Sequence, residues 1–246
     1  MNIALLGYGK MGKIIEEIAR QRGHNITHKI DSSNRPLLNP ADLEQVDAAI
    51  EFSVPQAALH NIKLCFESKT PVVVGTTGWY DDLDEVKAHC HQHEGCLLYA
   101  SNFSVGVNLL FALNRKLAKW MNDFSEYDVK VEEIHHIHKK DAPSGTAITL
   151  STDIIEQHEA KLKWQSVEMP AHRDINAKET IAVGYSREAE VSGTHRVVWE
   201  SGIDKLTLSH EAYNRRGFAL GAVLASEFVA GKKGVYTAYD LFDFHE

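Results

Sequence analysis

The first apolar run of the chain changes its period at Gly7. Residues 3–6 are apolar without interruption, which is typical of a buried strand, and beyond the glycine the apolar residues recur at helical spacing. Four further short apolar runs predict strands at 25–30, 46–52, 71–74 and 96–99. Because the segments between these runs are long enough for helices or looped crossovers, the pattern predicts an α/β domain with a doubly wound parallel sheet. Residues 31–40, which are rich in turn formers, are predicted to form a surface loop.

The pattern changes after Ser104, and we place a domain boundary near Gly106. The elements predicted beyond it are a helix over 109–120, strands at 127–131, 181–185, 195–199 and 205–209, and a helix over 218–229 that Gly231 would end. The last two strands are predicted to be joined by a tight turn at Ser201 and Gly202. Consecutive hairpin-like strands predict a smaller α+β domain with a mixed or antiparallel sheet.

Length and composition limit the number of domains, the kinds of partner and the cellular compartment that we expect. A chain of 246 residues with 43% hydrophobic residues can bury the core of one large domain or two compact ones. Its 26 basic and 34 acidic side chains give a net charge of -8, so we expect no general attraction to nucleic acid or to an acidic membrane. Three cysteines without a CxxC pair indicate a reducing compartment. With no leader-like start and no long apolar run, we expect a cytoplasmic protein.

Gly7, Gly9 and Gly12 form a G-x-G-x-x-G pattern between the first strand and the first helix. Such glycines permit a tight turn, the approach of a pyrophosphate to the backbone, and close helix packing, so the turn predicts an NAD(P)H site. Asp31 ends the next strand at the distance where an acid accepts hydrogen bonds from the adenosine ribose, which favours NADH. The basic residues Lys10 and Arg35 leave NADPH open as well. A glycine-rich turn without a ligand is the alternative.

Two further segments follow predicted strands, where ligands of such sheets gather. They are Gly75-Thr76-Thr77-Gly78 and Ala100-Ser101-Asn102-Phe103. Either segment alone could be an ordinary turn with small residues. Together they fit a nicotinamide pocket.

The greatest concentration of reactive side chains lies between residues 132 and 146, where a strand ends and a helix begins. Three histidines and two lysines there suit an anionic substrate that must be protonated during its reduction. Ser144 is a good helix N-cap, and the amides of Gly145 and Thr146 can bind a carboxylate. Solvated or structural histidines and a simple helix cap are the alternatives.

The histidines of this segment also resemble metal ligands superficially. Adjacent His135 and His136 on a strand would point to opposite faces, and the segment contains no cysteine. We therefore expect no metal site here.

The segment resembles the characteristic motif of the dihydrodipicolinate reductase family. The motif is a glutamate followed by two adjacent histidines, a histidine-lysine pair and Asp-Ala-Pro-Ser-Gly-Thr-Ala. This chain supplies Glu133 or its neighbour, His135, His136, His138, Lys139 and residues 141–147. The resemblance extends to the glycine turn and to residues 51–55, 75–78, 100–107 and 193–195, and so covers essentially the whole chain. Ile137 and Lys140 depart from the family pattern, which commonly has an arginine and an apolar residue there.

The resemblance implies a Rossmann domain over 1–106, to which 215–246 return, and a substrate-binding and oligomerisation domain over 107–214, usually in a homotetramer. His135 is implied as the catalytic acid/base, Lys139 as proton donor or carboxylate partner, and His136, Ser144, Gly145 and Thr146 as binders of a small dicarboxylate. Arg215 corresponds loosely to a basic position of conformational importance. The implied cofactor-binding residues are Gly7, Tyr8, Gly9, Lys10, Met11, Gly12, Asp31, Phe52, Gly75, Thr76, Thr77, Ala100, Ser101, Asn102 and Phe103.

Three functions are compatible with these features. The first is reduction of a conjugated cyclic imine dicarboxylate by hydride from NADH or NADPH, followed by protonation from His135 or Lys139. A related two-domain dehydrogenase of an amino-acid semialdehyde or of aspartate is the second. The third is a non-catalytic NAD(P)-sensing regulator, since a fold does not fix a function. A sensor would need no acid beside an anion site, which favours an enzyme.

Overall fold

The computed structural model describes residues 1–169 and 178–242. The chain divides into two compact units, Met1–Val105 with Arg215–Glu246, and Gly106–Asn214. The strands are β1 (Asn2–Leu6), β2 (Asn25–Ile30), β3 (Ala48–Glu51), β4 (Val72–Val74), β5 (Cys96–Tyr99), β6 (Asp128–His135), β7 (Lys163–Glu168), β8 (Thr180–Arg187), β9 (Thr194–Glu200), β10 (Lys205–Glu211) and β11 (Gly234–Thr237). The helices are α1 (Lys10–Gln21), α2 (Pro55–Glu67), α3 (Leu83–Gln92), α4 (Val105–Trp120), α5 (Gly145–Gln157), α6 (Arg216–Val229) and α7 (Ala238–Leu241).

The first unit contains a six-stranded sheet in the order β11-β5-β4-β3-β1-β2, in which every pairing is parallel. Apolar residues of α1 and α6 pack on one face of the sheet, and those of α2 and α3 pack on the other. Strands covered on both faces need apolar side chains on both sides, which explains the uninterrupted runs in β1 and β4. The predicted doubly wound, Rossmann-type sheet is confirmed.

The second unit contains a five-stranded mixed sheet in the order β10-β9-β6-β8-β7. The β10–β9 and β9–β6 pairs are antiparallel, whereas the β6–β8 and β8–β7 pairs are parallel. One face packs against α4 and α5, and the buried Trp199 of β9 belongs to this core. Along β6 every second residue is buried, so the strand places Glu133 and His135 on the same face as Val129 and Val131.

Several sequence predictions need correction in detail. The turn between β9 and β10 spans residues 201–204 rather than two residues, and Ser201 closes it through its amide and its hydroxyl. The loop over 31–40 contains a 3-10 turn at Arg35–Leu37. The predicted strand at 46–52 is shorter and begins at Ala48. Strand β7 was not predicted because its sequence is mostly polar. The edge strand β11 was not predicted because it is short and only half-buried.

In the described parts of the chain, no helix combines the length and the apolar character that crossing a bilayer requires.

A close backbone contact fixes α6 against the end of β5. At Gly221 a Cβ atom would lie 1.7 Å from the carbonyl oxygen of Phe103, so the helix can lie this close only because the residue has no side chain. The contact matters for function because Phe103 belongs to one of the predicted cofactor loops.

We expect Gly221→Ala to lower the free energy of unfolding by about 1–3 kcal/mol, because the new methyl group must displace backbone. The matched control is Gly217→Ala in the same helix, where the added Cβ would meet the Ser104 hydroxyl at an ordinary 3.5 Å. Thermal unfolding of both variants measures the difference. An unchanged melting temperature for Gly221→Ala would contradict the close packing.

Candidate active site

The glycine turn between β1 and α1 has one tight side and one open side. Gly7 has a φ of +112°, and a Cβ there would lie 2.1 Å from the carbonyl oxygen of Phe52. A Cβ at Gly12 would lie 2.4 Å from the carbonyl oxygen of Gly7. At Gly9 a Cβ would meet nothing within 4 Å. Two glycines are therefore required for packing, while the third leaves room above the turn for a ligand.

The amides of this turn divide into two groups. Those of Gly7 and Tyr8 donate to the carbonyl oxygen of Ile30, at 2.9 and 2.8 Å, and so tie the turn to the end of β2. Helix α1 then begins at Lys10 without a hydrogen bond from a capping side chain. The amides of its first turn, from Lys10 to Gly12, are the groups that can hold a phosphate at the positive end of the helix.

The side chain of Tyr8 is held by a charged group. Its hydroxyl donates to Glu16, and the Lys29 ammonium lies 2.7 Å from the same carboxylate and 5.0 Å from the centre of the tyrosine ring. The hydrogen bond from Lys29, and secondly that from Tyr8, lower the pKa of Glu16 to about 2. Tyr8 is therefore fixed as a wall of the turn, and the charge of Lys29 is already balanced.

Asp31 follows β2 and is exposed. Its Oδ1 accepts hydrogen bonds from the amide and the hydroxyl of Ser33, which lower the pKa of Asp31. Asn34 accepts from the Asp31 amide at 2.8 Å and donates to the carbonyl of Lys29 at 2.9 Å. The carboxylate is thus charged and fixed in position, and its Oδ2 is the oxygen that can accept from a ribose hydroxyl.

A pocket of about 200 Å³ lies at the carboxyl ends of the strands in the first unit. It is lined by Met11, Phe52, Gly75, Ser101, Phe103, Arg215 and Phe218. The first five of these are among the predicted cofactor residues. Phe218 was not predicted as a site residue, and Arg215 was assigned only a conformational role, because the helical pattern that follows β10 carries no sign of which sheet it joins.

Aromatic packing shapes this pocket. The ring of Phe52 lies against Gly75, where a Cβ would be 2.1 Å from its Cζ atom, and its centre is 5.8 Å from that of the Phe103 ring. The hydroxyl oxygen of Thr76 accepts from the Ser53 amide at 2.8 Å, so it joins the loops that follow β3 and β4. Beneath them the buried Glu51 accepts from Ser53 and Asn61, and burial raises its pKa.

The other predicted residues of these two loops differ in exposure. Thr77 is exposed, whereas Ala100 is buried at the end of β5. Asn102 accepts a hydrogen bond from the Ser104 amide at 2.8 Å. Thr77 is therefore exposed, as is Ser101, which lines the pocket.

The second unit holds a compact charged network at the end of β6. Glu133 has no exposed surface, and both terminal nitrogens of Arg187 lie 3.2 Å from its Oε1 atom. Its Oε2 accepts from the Ser144 amide at 3.1 Å and lies 3.2 Å from Nδ1 of His135. Burial alone would raise the pKa of Glu133, but contacts from His135 and Ser144 outweigh it and lower the pKa to about 2.

His195 lies beside this network on β9. Its Nε2 atom is 3.0 Å from the Ser144 hydroxyl, and its ring centre is 5.0 Å from that of His135. Burial, and secondly the neighbouring His135, lower the pKa of His195 to about 3, so its ring is neutral at physiological pH. His195 was not predicted to have a role in the site. Glu133 was predicted only as part of the motif, and Arg187 was not predicted at all.

Arg187 also holds the loop that carries Lys139. Its guanidinium donates to the carbonyl oxygens of Lys139 and Asp141, at 3.3 and 2.6 Å. The Lys139 ammonium forms two hydrogen bonds with the Asp141 carboxylate, at 2.9 and 2.7 Å. These hydrogen bonds from Lys139 are the main reason why the pKa of Asp141 is lowered. Both cations are thus placed at the same end of the sheet.

The predicted anion-binding residues lie at the start of α5. Ser144 caps the helix by accepting from the Ala147 amide at 3.3 Å. Gly145 is exposed, and a Cβ there would meet nothing within 4 Å, so the backbone of the first turn is open to a ligand. His136 is half-buried, and its carbonyl accepts from the Lys139 amide. The predicted residues of this segment therefore gather at one end of the unit.

Glu133, His135 and His195 each offer a ligand atom, and these atoms lie within 4.8 Å of one another. Arg187 and the Ser144 amide already occupy the two oxygens of Glu133, however, and a metal ion would lie beside the guanidinium charge. The arrangement is better described as a buried ion-pair and hydrogen-bond network than as a metal centre.

Comparison with known proteins identifies relatives that match the chain over both units. Residues 1–103 match the family model described as dihydrodipicolinate reductase, N-terminus, and residues 106–242 match the C-terminus model. A 4-hydroxy-tetrahydrodipicolinate reductase from Christiangramia forsetii is 47% identical over 98% of this chain and 97% of its own. Another, from Acinetobacter baumannii, is 32% identical over 98% of this chain and 94% of its own.

Among solved structures, the dipicolinate-bound dihydrodipicolinate reductase from Paenisporosarcina sp. TG-14 has the same fold. The TM-score is 0.77, the identity is 20%, and 98% of each chain is covered. On the two family models and the identity to full-length relatives, the chain belongs to the dihydrodipicolinate reductase family.

Proposed function

We propose that this chain reduces 4-hydroxy-tetrahydrodipicolinate to tetrahydrodipicolinate with NADH or NADPH, a step of lysine and diaminopimelate biosynthesis. The observation that carries the proposal is the cluster at the end of β6, where His135, Lys139 and the open start of α5 lie together. The curated relatives bear this activity in their names, and the Paenisporosarcina protein is described as bound to dipicolinate, a small dicarboxylate. The chain is accordingly an oxidoreductase.

The first unit fits a dinucleotide. The open space at Gly9, the uncapped start of α1 and the fixed carboxylate of Asp31 match the pyrophosphate and the ribose of such a cofactor. The pocket lined by Phe52 and Phe103 suits a flat aromatic ring. Bound there, the reduced nicotinamide would supply the hydride of the reaction.

The second unit supplies charge neutralisation and a proton. The amides of Gly145 and Thr146 at the start of α5 would hold one substrate carboxylate, and Lys139 would face another after leaving Asp141. His136 and Ser144 would complete the binding surface. His135 or Lys139 would then protonate the carbon skeleton after it has accepted the hydride.

Asp31 favours NADH over NADPH in this proposal. A 2′-phosphate would place negative charge beside the exposed carboxylate, whereas a 2′-hydroxyl could donate to it. The homotetramer and the cytoplasmic location stay predictions from the resemblance and from composition. A related dehydrogenase or an NAD(P) sensor is disfavoured, because relatives with the proposed activity match the full length of the chain.

We expect His135→Gln and Lys139→Met each to lower kcat by roughly 10²- to 10⁴-fold, the usual contribution of a positioned proton donor. The Kd of NADH should stay unchanged, because neither residue belongs to the first unit. The matched control is His138→Gln, since this histidine lies in the same loop, is exposed and pairs with Glu190. Steady-state assays with enzymatically generated substrate measure kcat. Near-normal turnover in both variants would contradict the assignment.

We expect Asp31→Asn to raise the ratio of kcat/KM with NADPH to that with NADH by roughly tenfold, because it removes one repulsive charge at close range. Glu44→Gln is the control. It also removes an exposed acid from the first unit, but Glu44 follows the loop over 31–40 and is not a predicted cofactor residue. Parallel assays with the two coenzymes measure the ratio. If both variants leave the ratio unchanged, Asp31 does not select the coenzyme.

A further inference from the structure

The carboxylate of Glu133 is fixed by contacts with two other segments and by its place in β6. Strand β8 contributes Arg187, which bonds Oε1, and the segment before α5 contributes the Ser144 amide, which bonds Oε2. Within β6 the carboxylate lies on the same face as His135, two residues further along the strand. Glu133 therefore cannot turn away from the imidazole without leaving the Arg187 charge uncompensated.

The two edges of the His135 ring meet different surroundings. Nδ1 is buried and lies 3.2 Å from Oε2 of Glu133, but the geometry of this contact is not that of a straight hydrogen bond. Such contacts are often poorly aligned without substrate and tighten when it binds. On the other edge, a Cβ at Gly193 would lie 3.0 Å from Nε2, so this edge faces a residue that adds no side chain. Nδ1 therefore faces a carboxylate, whereas Nε2 faces a glycine.

The charged groups around the ring leave Glu133 as its anionic partner. Arg187 forms an ion pair with Glu133, and Lys139 forms one with Asp141. His195, which packs against the ring from β9, is neutral because burial lowers its pKa to about 3. The negative charge nearest to His135 is therefore the Oε2 atom of Glu133.

We propose that Glu133 is a positioning residue that keeps a proton on Nδ1 of His135, so that the proton exchanged with the substrate is always the one on Nε2. The proposal rests on the proposed function, in which His135 is an acid. In the charged ring both nitrogens carry protons. After Nε2 has given its proton to the substrate carbon, the neutral ring keeps Nδ1–H directed at Glu133, and solvent reloads Nε2.

The test is Glu133→Gln. If the glutamine carbonyl stays toward Arg187, its amide group faces Nδ1 of His135 and favours a ring protonated on Nε2, with the charged ring disfavoured. We expect kcat to fall by roughly 10- to 100-fold, by analogy with carboxylates that orient metal-ligating histidines, with little change in the substrate KM. The matched control is Asp153→Asn, because Asp153 is also buried and pairs with an arginine, Arg115, in the same unit. The control should keep kcat.

A double variant separates positioning from a general structural role. If Glu133 acts through His135, Glu133→Gln added to His135→Gln should cost no further activity. Additive losses, or an unchanged kcat in Glu133→Gln, would overturn the proposal. Near-normal turnover in His135→Gln alone would instead show that the acid assigned under the proposed function is wrong.

Nitrogen-15 spectra of the histidine rings make the test independent of how well a variant folds. In the unmodified protein we expect the neutral His135 ring to carry its proton on Nδ1, with the signal assigned from its loss in His135→Gln. Finding that proton on Nε2 would overturn the proposal, even if His135 proves to be the acid.

Discussion

The burial of one negative charge organises the second unit. Removing a carboxylate such as Glu133 from water is costly, and the cost is offset only where donors surround it. Arg187, the Ser144 amide and His135 provide these contacts, and those from His135 and Ser144 hold the pKa of Glu133 at about 2 despite its burial. Arg187 also donates to the carbonyl oxygens of Lys139 and Asp141. The residue that compensates the charge of Glu133 therefore also fixes the loop that carries the Lys139 ammonium.

The first unit builds its candidate cofactor site by a different means. There the decisive contacts join backbone to backbone or to a ring, at Gly7, Gly12, Gly75 and Gly221, and each would be lost if a side chain were added. These contacts leave a pocket with aromatic walls and a helix start without a capping side chain. A preformed cradle suits a cofactor that must bind and leave in each turnover, because no buried ion pair has to be broken.

The candidate cofactor site of the first unit could be predicted more completely than the network around Glu133 in the second unit, because its information is local. The glycine pattern and Asp31 lie within one β-α-β unit, whose spacing fixes their geometry. The network around Glu133 depends on strand register instead. His135 is opposite Arg187 in β8, and Glu133 is opposite His195 in β9, so residues 52 and 62 positions apart meet. Alternation along β6 could have indicated that Glu133 is buried, but no local pattern shows which strands flank β6.

The two cations at the end of β6 differ in how readily they can change partners. Arg187 bonds a carboxylate with no exposed surface, and breaking that pair would leave a charge buried. Lys139 is paired with Asp141, whose side chain is 63% exposed, and an ion pair of this kind contributes little to stability. A substrate carboxylate can therefore replace Asp141 at small cost, since Asp141 returns to water. The unit thus combines one ion pair that maintains the site with one that can be exchanged for the substrate, and this supports Lys139, rather than Arg187, as the residue that meets the dicarboxylate.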